Sequence, residues 1–506
     1  MQINKGNITL NEQVSHAATG VLVEGDVILP DGNPDVAEIL CADAKVKITD
    51  TEYRNGRLTI SGCVEFTALY MPDDESCELK SMSRDLDFST AIEMKGNENT
   101  SFSAEAVTEH IGFTLVNSRK LSAKVMVSVK AWGTEDKCYE PITQMSGDDA
   151  EFIEKKYSLY MPLSENCSYI EVSDLLTVPE NMADIGEILK VDAWVTSSDV
   201  RVMNDKAMVQ GDIHINTIYT TADEAKNTAC VSHMVPFTEI VEASGAMEQS
   251  VVKVNFDVSE ISATVKGDLN GDTKIISLDC VIRACVKVSK TATETIIDDC
   301  YFLTGRTELS REKMKICEYV TSENTRMSER QTAEIPKNIQ IKEIVSCVAK
   351  PILKNAYWEN GAAQVMGALI TYLIYRDEQG NIRCVVTESE LNWEKAIAEP
   401  CNVEASMNLE NVNATIEGKD AQILVSIGLF VKMLKSKEVS ILTDCEQKME
   451  EKNETKPSMV VYFAKDGDTV WNVAKKYRTK AEKIKSANNL DAEKIESGRR
   501  LLIPMA

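Results

Sequence analysis

Two stretches of the chain repeat one another at a fixed offset of 149 residues. LPDGNPDVAEIL near residue 30 and VPENMADIGEIL near residue 179 share a proline (Pro30, Pro179), an aspartate (Asp35, Asp184) and a Glu-Ile-Leu run (Glu38–Leu40, Glu187–Leu189). LTISGCVEFTALY and AMVQGDIHINTIY then match at Gly62 and Gly211 and at Tyr70 and Tyr219, without a gap. A third copy follows at an offset of 156: Glu343, Ile344 and Val345 align with Glu187–Leu189, and AQVMGALITYLIY carries Gly367 and Tyr375, with Pro336 one residue out of register. The copies close on similar stretches, VNSRKLSAKVMVSVK, LNGDTKIISLDCVIRACVKV and IEGKDAQILVSIGLFVKML. Self-similarity at a fixed period marks one structural unit used several times. It divides the 506 residues into repeats at 1–150, 151–325 and 326–445, a linker at 446–458 and a separate module at 459–506.

Within a copy, apolar and polar residues alternate, as at Leu58, Ile60, Val64 and Phe66 or at Ile213, Ile215 and Ile218. That is the period of half-buried strands. Asn-Gly pairs (Asn55-Gly56, Asn270-Gly271, Asn360-Gly361) supply hairpin turns. The expected fold class is mainly β: three antiparallel, sandwich-like domains and a small βααβ module at the end. Asp35–Leu40 is expected to form one short helical turn. Gly62, Gly211 and Gly367, each inside a strand, are expected to mark a bulge or a close backbone approach.

The charge excludes some partners. Lys and Arg number 55 against 80 Asp and Glu, a net charge of −25. Ten basic and six acidic residues lie from Met459 onward, so the tail is positive and the body more negative still. An acidic body is unsuited to nucleic acid, whose phosphates need clustered cations, and to anionic lipid. The longest uncharged apolar run, Gly361–Tyr375, falls short of the roughly 20 residues that cross a bilayer, so no membrane insertion is expected. The polar start MQINKGNITLNEQ lacks the apolar core of a signal peptide, and a soluble internal protein is expected.

Fourteen cysteines are scattered from Cys41 to Cys445 without a CxxC pair, and are expected to be reduced, mostly buried small hydrophobes. The four histidines have no zinc-like spacing to them. No GxSxG, HExxH or strand-borne GxGxxG occurs, and no titratable pair recurs between copies, so no catalytic residue, metal or cofactor is assigned and no enzyme is expected. The recurring Glu38, Glu187 and Glu343 are expected to accept backbone hydrogen bonds at a turn, with a ligand-binding carboxylate as the alternative. GDLNGDTK from Gly267 reads as a hairpin tip.

Residues Glu446–Ser458 lack periodicity and read as a linker. Beyond it, Met459–Ala464 is a short apolar strand. Asp468 or Thr469 can cap a helix carrying Val470, Val473, Ala474 and Tyr477, and Thr479 with Glu482 has the capping-box pattern ahead of a second helix. Gly498 turns the chain into a closing strand at Leu501–Ile503. Trp471 and Tyr477 are expected against the module's core. Tyr462, Asp466–Trp471, Val473-Ala474, Tyr477, Ala487–Leu490, Ile495 and Gly498 through Pro504 together resemble a LysM domain. That resemblance implies a shallow groove for GlcNAc-containing polymers such as peptidoglycan, between two loops here formed by Gly467, Asp468, Thr469 and Val470 and by Asn488, Asn489 and Leu490 with Ile495. Ala464, Ser497 and Arg499 depart from the usual pattern, and one LysM copy offers no avidity.

The body motif, proline followed by Asp-x-x-Glu-Ile-Leu and a strand running to Gly…Tyr, is similar to the SPOCS domains of spore coat-associated proteins of endospore-forming Firmicutes. The combination with a carboxy-terminal LysM is typical of clostridial members. The resemblance implies a coat-assembly protein made in the mother-cell cytoplasm and working at the forespore surface. Its implied partners are the ATPase of the coat's basement layer and other coat proteins, docked by the LysM tail. Two alternatives stand beside it: a peptidoglycan-binding protein of the wall or cortex, and a glycan-processing enzyme targeted by its LysM.

Overall fold

Antiparallel strands dominate the computed structural model, which describes residues 2–73, 78–147, 149–223, 227–267, 271–449 and 457–505. The chain opens with β1 (Gln2–Lys5) and β2 (Ile8–Ile28). Then come β3 (Val36–Arg54), β4 (Arg57–Pro72), β5 (Lys80–Glu93), β6 (Ser101–Asn117), β7 (Lys120–Tyr139) and β8 (Ile142–Ser146). Two three-stranded sheets, β3-β4-β5 and β2-β7-β6, face each other. The alternating residues Leu58, Ile60, Val64 and Phe66 of β4 meet Leu121, Ala123, Val125, Val127 and Val129 of β7 in a common core. Strand periodicity has become a sandwich because each middle strand buries every second side chain.

The same arrangement returns twice. In the second copy, β10 (Ile185–Met203), β11 (Lys206–Thr221) and β12 (Thr228–Glu242) form one sheet. β9 (Ala150–Thr177), β14 (Ile275–Phe302) and β13 (Val251–Lys266) form the facing one. In the third, β16 (Ile341–Glu359), β17 (Ala362–Asp377) and β18 (Ile382–Ala396) face β15 (Arg306–Ala333), β20 (Asp420–Lys448) and β19 (Asn402–Glu417). The third sheet therefore starts at Arg306, and the division drawn at 325/326 falls inside β15. The Asn55-Gly56 and Asn360-Gly361 turns have positive φ at both residues, as a two-residue hairpin requires. Asp268, Leu269 and Asn270, which include the first residue of the third Asn-Gly pair and part of the GDLNGDTK tip, lie outside the described residues.

The repeated glycines sit where a neighbouring backbone crowds the strand. Opposite each one the partner strand shifts register: between Ile48 and Asp50, Ser197 and Asp199, and Leu353 and Asn355. The bulge pushes a carbonyl toward the glycine, so a Cβ on Gly211 would lie 2.5 Å from the Thr196 oxygen and one on Gly367 2.7 Å from that of Ile352. Only hydrogen fits there. Gly211→Ala should therefore cost about 1–3 kcal/mol, read as a lowered urea midpoint with an unchanged slope.

Asp35–Leu40 forms no helical turn; Val36 opens β3. Register shifts at Val36/Glu38 and at Ile39/Cys41 insert extra residues into the strand, which breaks its period of two and imitates helical spacing. Tyr70 and Tyr219 close the segment, their hydroxyls donating to the carbonyls of Pro34 (3.4 Å) and Ala183 (3.3 Å).

The three sandwiches surround an approximate threefold axis. Equivalent residues from all three, Leu69, Ile218 and Ile374 together with Leu40, Leu189 and Val345, meet in one cluster. Beyond the sandwiches, the paired strands β9/β14 and β15/β20 continue as ribbons beside β1/β8 and the ends of β2/β7. They form a column that buries Ile8, Tyr139, Leu159, Ile296, Met314 and Ile441. Charges join the copies near the axis. The Lys190 ammonium lies 3.1 Å from Asp43 and 2.5 Å from Asp192, and Lys350 of the third copy also bonds Asp43. Arg376 reaches from the third copy to the Thr228 carbonyl of the second, 2.7 Å away.

One cysteine expectation is corrected: Cys167 and Cys285 form a disulfide. They face each other directly across the antiparallel pair β9/β14, where two adjacent β-carbons come within bonding reach of a cystine.

Candidate binding site

The tail folds as β21 (Met459–Phe463), α1 (Val470–Tyr477), α2 (Ala481–Asn488) and β22 (Arg500–Pro504), with β21 and β22 paired antiparallel. Thr469 caps α1, its hydroxyl accepting from the Asn472 amide at 3.1 Å, and Lys475 and Lys476 complement the dipole in the last turn. Arg478 and Asn489, both in the left-handed region, end the two helices. The capping box expected from Thr479 and Glu482 does not form. Lys480 occupies the cap position without a side-chain bond, and the buried Thr479 hydroxyl donates instead to the Pro504 carbonyl at 2.6 Å.

The two loops expected to form a groove do meet. The Val470 amide donates to the Glu493 carbonyl (2.9 Å), the Ile495 amide to that of Asp468 (3.2 Å), and Thr469 bridges Lys494. Much of the chemistry there serves the loops themselves. Asp468 accepts from the Lys465 amide (2.7 Å) and the Tyr462 hydroxyl (2.8 Å), bonds that hold its carboxyl below the usual range. Asn488 lies beside β22 like an added strand, accepting from the Leu502 amide at 2.7 Å and donating to its carbonyl at 2.6 Å. Val470, Leu490 and Ile495 point into the module's core with Val473, Ala474, Ile484, Leu501 and Ile503. Gly467, at φ +83°, and Asn489 are exposed, and Thr469 is partly so. The open surface between the loops is thus mainly backbone, flanked by the exposed Asp466, Asp491, Glu493 and Lys494.

A second surface lies on the strands. Met459, Val461 and Phe463 alternate along β21 on the side away from the helices and are 51%, 53% and 62% exposed. Pro504, Leu502 and Arg500 stand opposite them in register. The sequence marks this segment as apolar; its sidedness emerges only from the pairing, because the inward Val460 and Tyr462 are apolar too.

The module is seated on the end of the column. The Trp471 indole N–H donates to Asp299 at 2.9 Å, and the Lys475 ammonium binds the same carboxylate at 2.6 and 2.7 Å. Tyr301 packs edge-on against Trp471, with ring centres 4.9 Å apart, and its hydroxyl donates to the Thr479 carbonyl at 2.8 Å. Burial alone would raise the Asp299 pKa, but the Lys475 and Trp471 bonds outweigh it and hold the group below the usual carboxylate range. Trp471 and Tyr477 pack partly against the module core, Tyr477 edge-on to Tyr462. Trp471 has this further duty toward the body, which no local pattern around Asp299 announces. The linker's start runs on in β20 to Lys448, and its residues 450–456 lie outside the described residues. Of the loop residues, Gly467 and Asn489 remain exposed in the seated position.

The recurring glutamates hold no common site. Glu187 accepts from Lys80 of the first copy (2.8 Å), Glu343 from Arg376 (2.6 Å), and Glu38 is exposed. Backbone acceptance is thus replaced by ion pairing in two of them. No helix among the described residues is long and apolar enough to cross a membrane.

Comparison with known families agrees with this architecture. The family model described as SipL, SPOCS domain, matches residues 35–116 and 184–266, which span β3–β6 and β10–β13. The LysM domain model matches residues 463–504. No curated protein and no solved structure matches the chain. The chain thus carries SPOCS domains and a LysM domain, both binding rather than catalytic domains. It is a sporulation-related protein with a LysM tail of the kind that binds GlcNAc glycans such as peptidoglycan.

Proposed function

We propose that the chain is a non-enzymatic assembly scaffold of the spore coat, working from the mother-cell cytoplasm at the forespore surface, whose LysM tail docks a coat protein. The partner is the ATPase of the coat's basement layer, and the three sandwiches are the three SPOCS-like domains that carry the tail. The observation that bears most weight is the exposed apolar row Met459, Val461 and Phe463, beside Arg499 and Arg500. A glycan gives such a row little to bury it, whereas a protein surface with apolar and acidic groups complements both parts. Phe463→Asp in the full chain should weaken binding to the ATPase at least tenfold while leaving the melting temperature unchanged, because the ring is in solvent. Arg499→Glu with Arg500→Glu should slow association and alter its salt dependence.

A second reading, glycan binding between the loops, is favoured by the exposure of Gly467 and Asn489 in the seated module. Titrating the same full-length protein with chito-oligosaccharides separates the two. Tight glycan binding with no measurable ATPase binding would promote the second reading and sink the first.

A further inference from the structure

We propose that Cys300 and Cys445 are a redox modification site, a thiol pair that closes into a disulfide and crosslinks the second copy to the third. Their sulfurs lie 2.9 Å apart although 145 residues separate them in the chain. Cys300 belongs to β14 and Cys445 to β20, and both are buried in the column beside Ile297, Phe302 and Leu442. A disulfide needs about 2.05 Å, so the sulfurs close a gap of under an ångström without the ribbons parting. Both residues are buried, so a small reagent reaches them through local opening of the ribbons.

The pair is arranged for stepwise exchange with a low-molecular-weight disulfide. The hydrogen bond from the Cys300 thiol lowers the pKa of Cys445, which is therefore the first to lose its proton. The Cys445 thiolate attacks one sulfur of the reagent and expels the first thiolate, leaving a mixed disulfide. Cys300 then gives up its proton and displaces the second thiolate from Cys445. Two protein thiols are oxidised, one reagent disulfide is reduced to two thiols, and the two protons leave with them. On the opposite face of the same strand, Asp299 and Tyr301 hold the LysM module. The crosslink accordingly fixes the strand on which the tail is seated.

The test uses the full-length protein, fully reduced and then incubated with oxidised glutathione, alkylated and digested without reduction. Peptide mapping should recover a Cys300–Cys445 crosslink, absent when glutathione disulfide is omitted, alongside the Cys167–Cys285 bridge. The thermal midpoint should rise on oxidation by more than it does in Cys300→Ser. Recovery of Cys300 and Cys445 only as alkylated or glutathione-bound residues, while Cys167–Cys285 forms, would overturn the proposal. So would equal midpoint shifts in the two proteins.

Discussion

Lys190→Met should destabilise the chain by about 3–5 kcal/mol, because it leaves the largely buried Asp192 without its cation and Asp43 with Lys350 alone. Lys190 is the shared partner of Asp192 in its own copy and of Asp43 in the first, at 2.5 and 3.1 Å. Burial works against its charge, but the two aspartates outweigh burial and hold the ammonium well above its ordinary pKa. Burial likewise acts against Asp43, and Lys190 and Lys350 outweigh it, keeping that carboxyl well below the usual range. The signs fix the pH window. The depressed Asp43 contributes stability that is complete above its unfolded pKa of about 3.9 and is lost as pH falls toward the folded value. The elevated Lys190 contributes stability that is complete below about 10.4 and is lost as pH rises toward its folded value. Urea midpoints of the native chain should therefore show no loss from this cluster between about pH 5 and 9. The deficit of the variant should shrink in acid, where protonated carboxyls no longer need the lysine. A deficit that is absent at pH 7, or that grows toward pH 4, would contradict the assignment.

Tyr301→Ala is the second large effect, a loss of about 3–5 kcal/mol concentrated on the seat of the tail. The ring is 2% exposed and packs edge-on against Trp471, and its hydroxyl donates to Thr479, so its removal leaves a cavity and an unmet carbonyl at once. The column below it is held by other residues, Phe302 and Leu442 among them, and should survive. Unfolding should accordingly separate into two transitions, with the LysM helices losing amide protection before the sandwiches. Hydrogen exchange read by mass spectrometry resolves the two, and simultaneous loss of protection in both would show that the tail is not an independent unit.

Much of this architecture is legible in the residues. The repeats, the alternation at Leu58–Phe66 and the bulge glycines follow from local chemistry, since each depends on neighbours within one hairpin. The helical spacing at Asp35–Leu40 misleads because two bulges within six residues shift the strand's faces, and a bulge leaves no residue type of its own. The long ribbons escape for another reason. In β15, Arg311–Lys313 are charged and exposed on both sides of the strand and Glu318 is charged as well, so a strand joined to the following copy reads as the tail of the preceding one. At the LysM loops the motif marks Val470, Leu490 and Ile495, and the fold uses them as core. Their spacing carries the module's identity, not its contact surface. The seat at Asp299 and Tyr301 joins residues more than 170 positions apart, beyond the reach of any periodicity.

Because the three sandwiches are links of one chain, the axis they share need not be chemically symmetric. Cys41, Lys190 and Ser346 occupy the same place in the three copies, as do Asp43, Asp192 and Val348. Three identical subunits would set three lysines or three aspartates face to face, and like charges in so small a space repel. Fusion lets one lysine answer two aspartates. It also removes dilution as a hazard: a ring of separate subunits dissociates as its concentration falls, whereas this one holds its shape at a single molecule per cell.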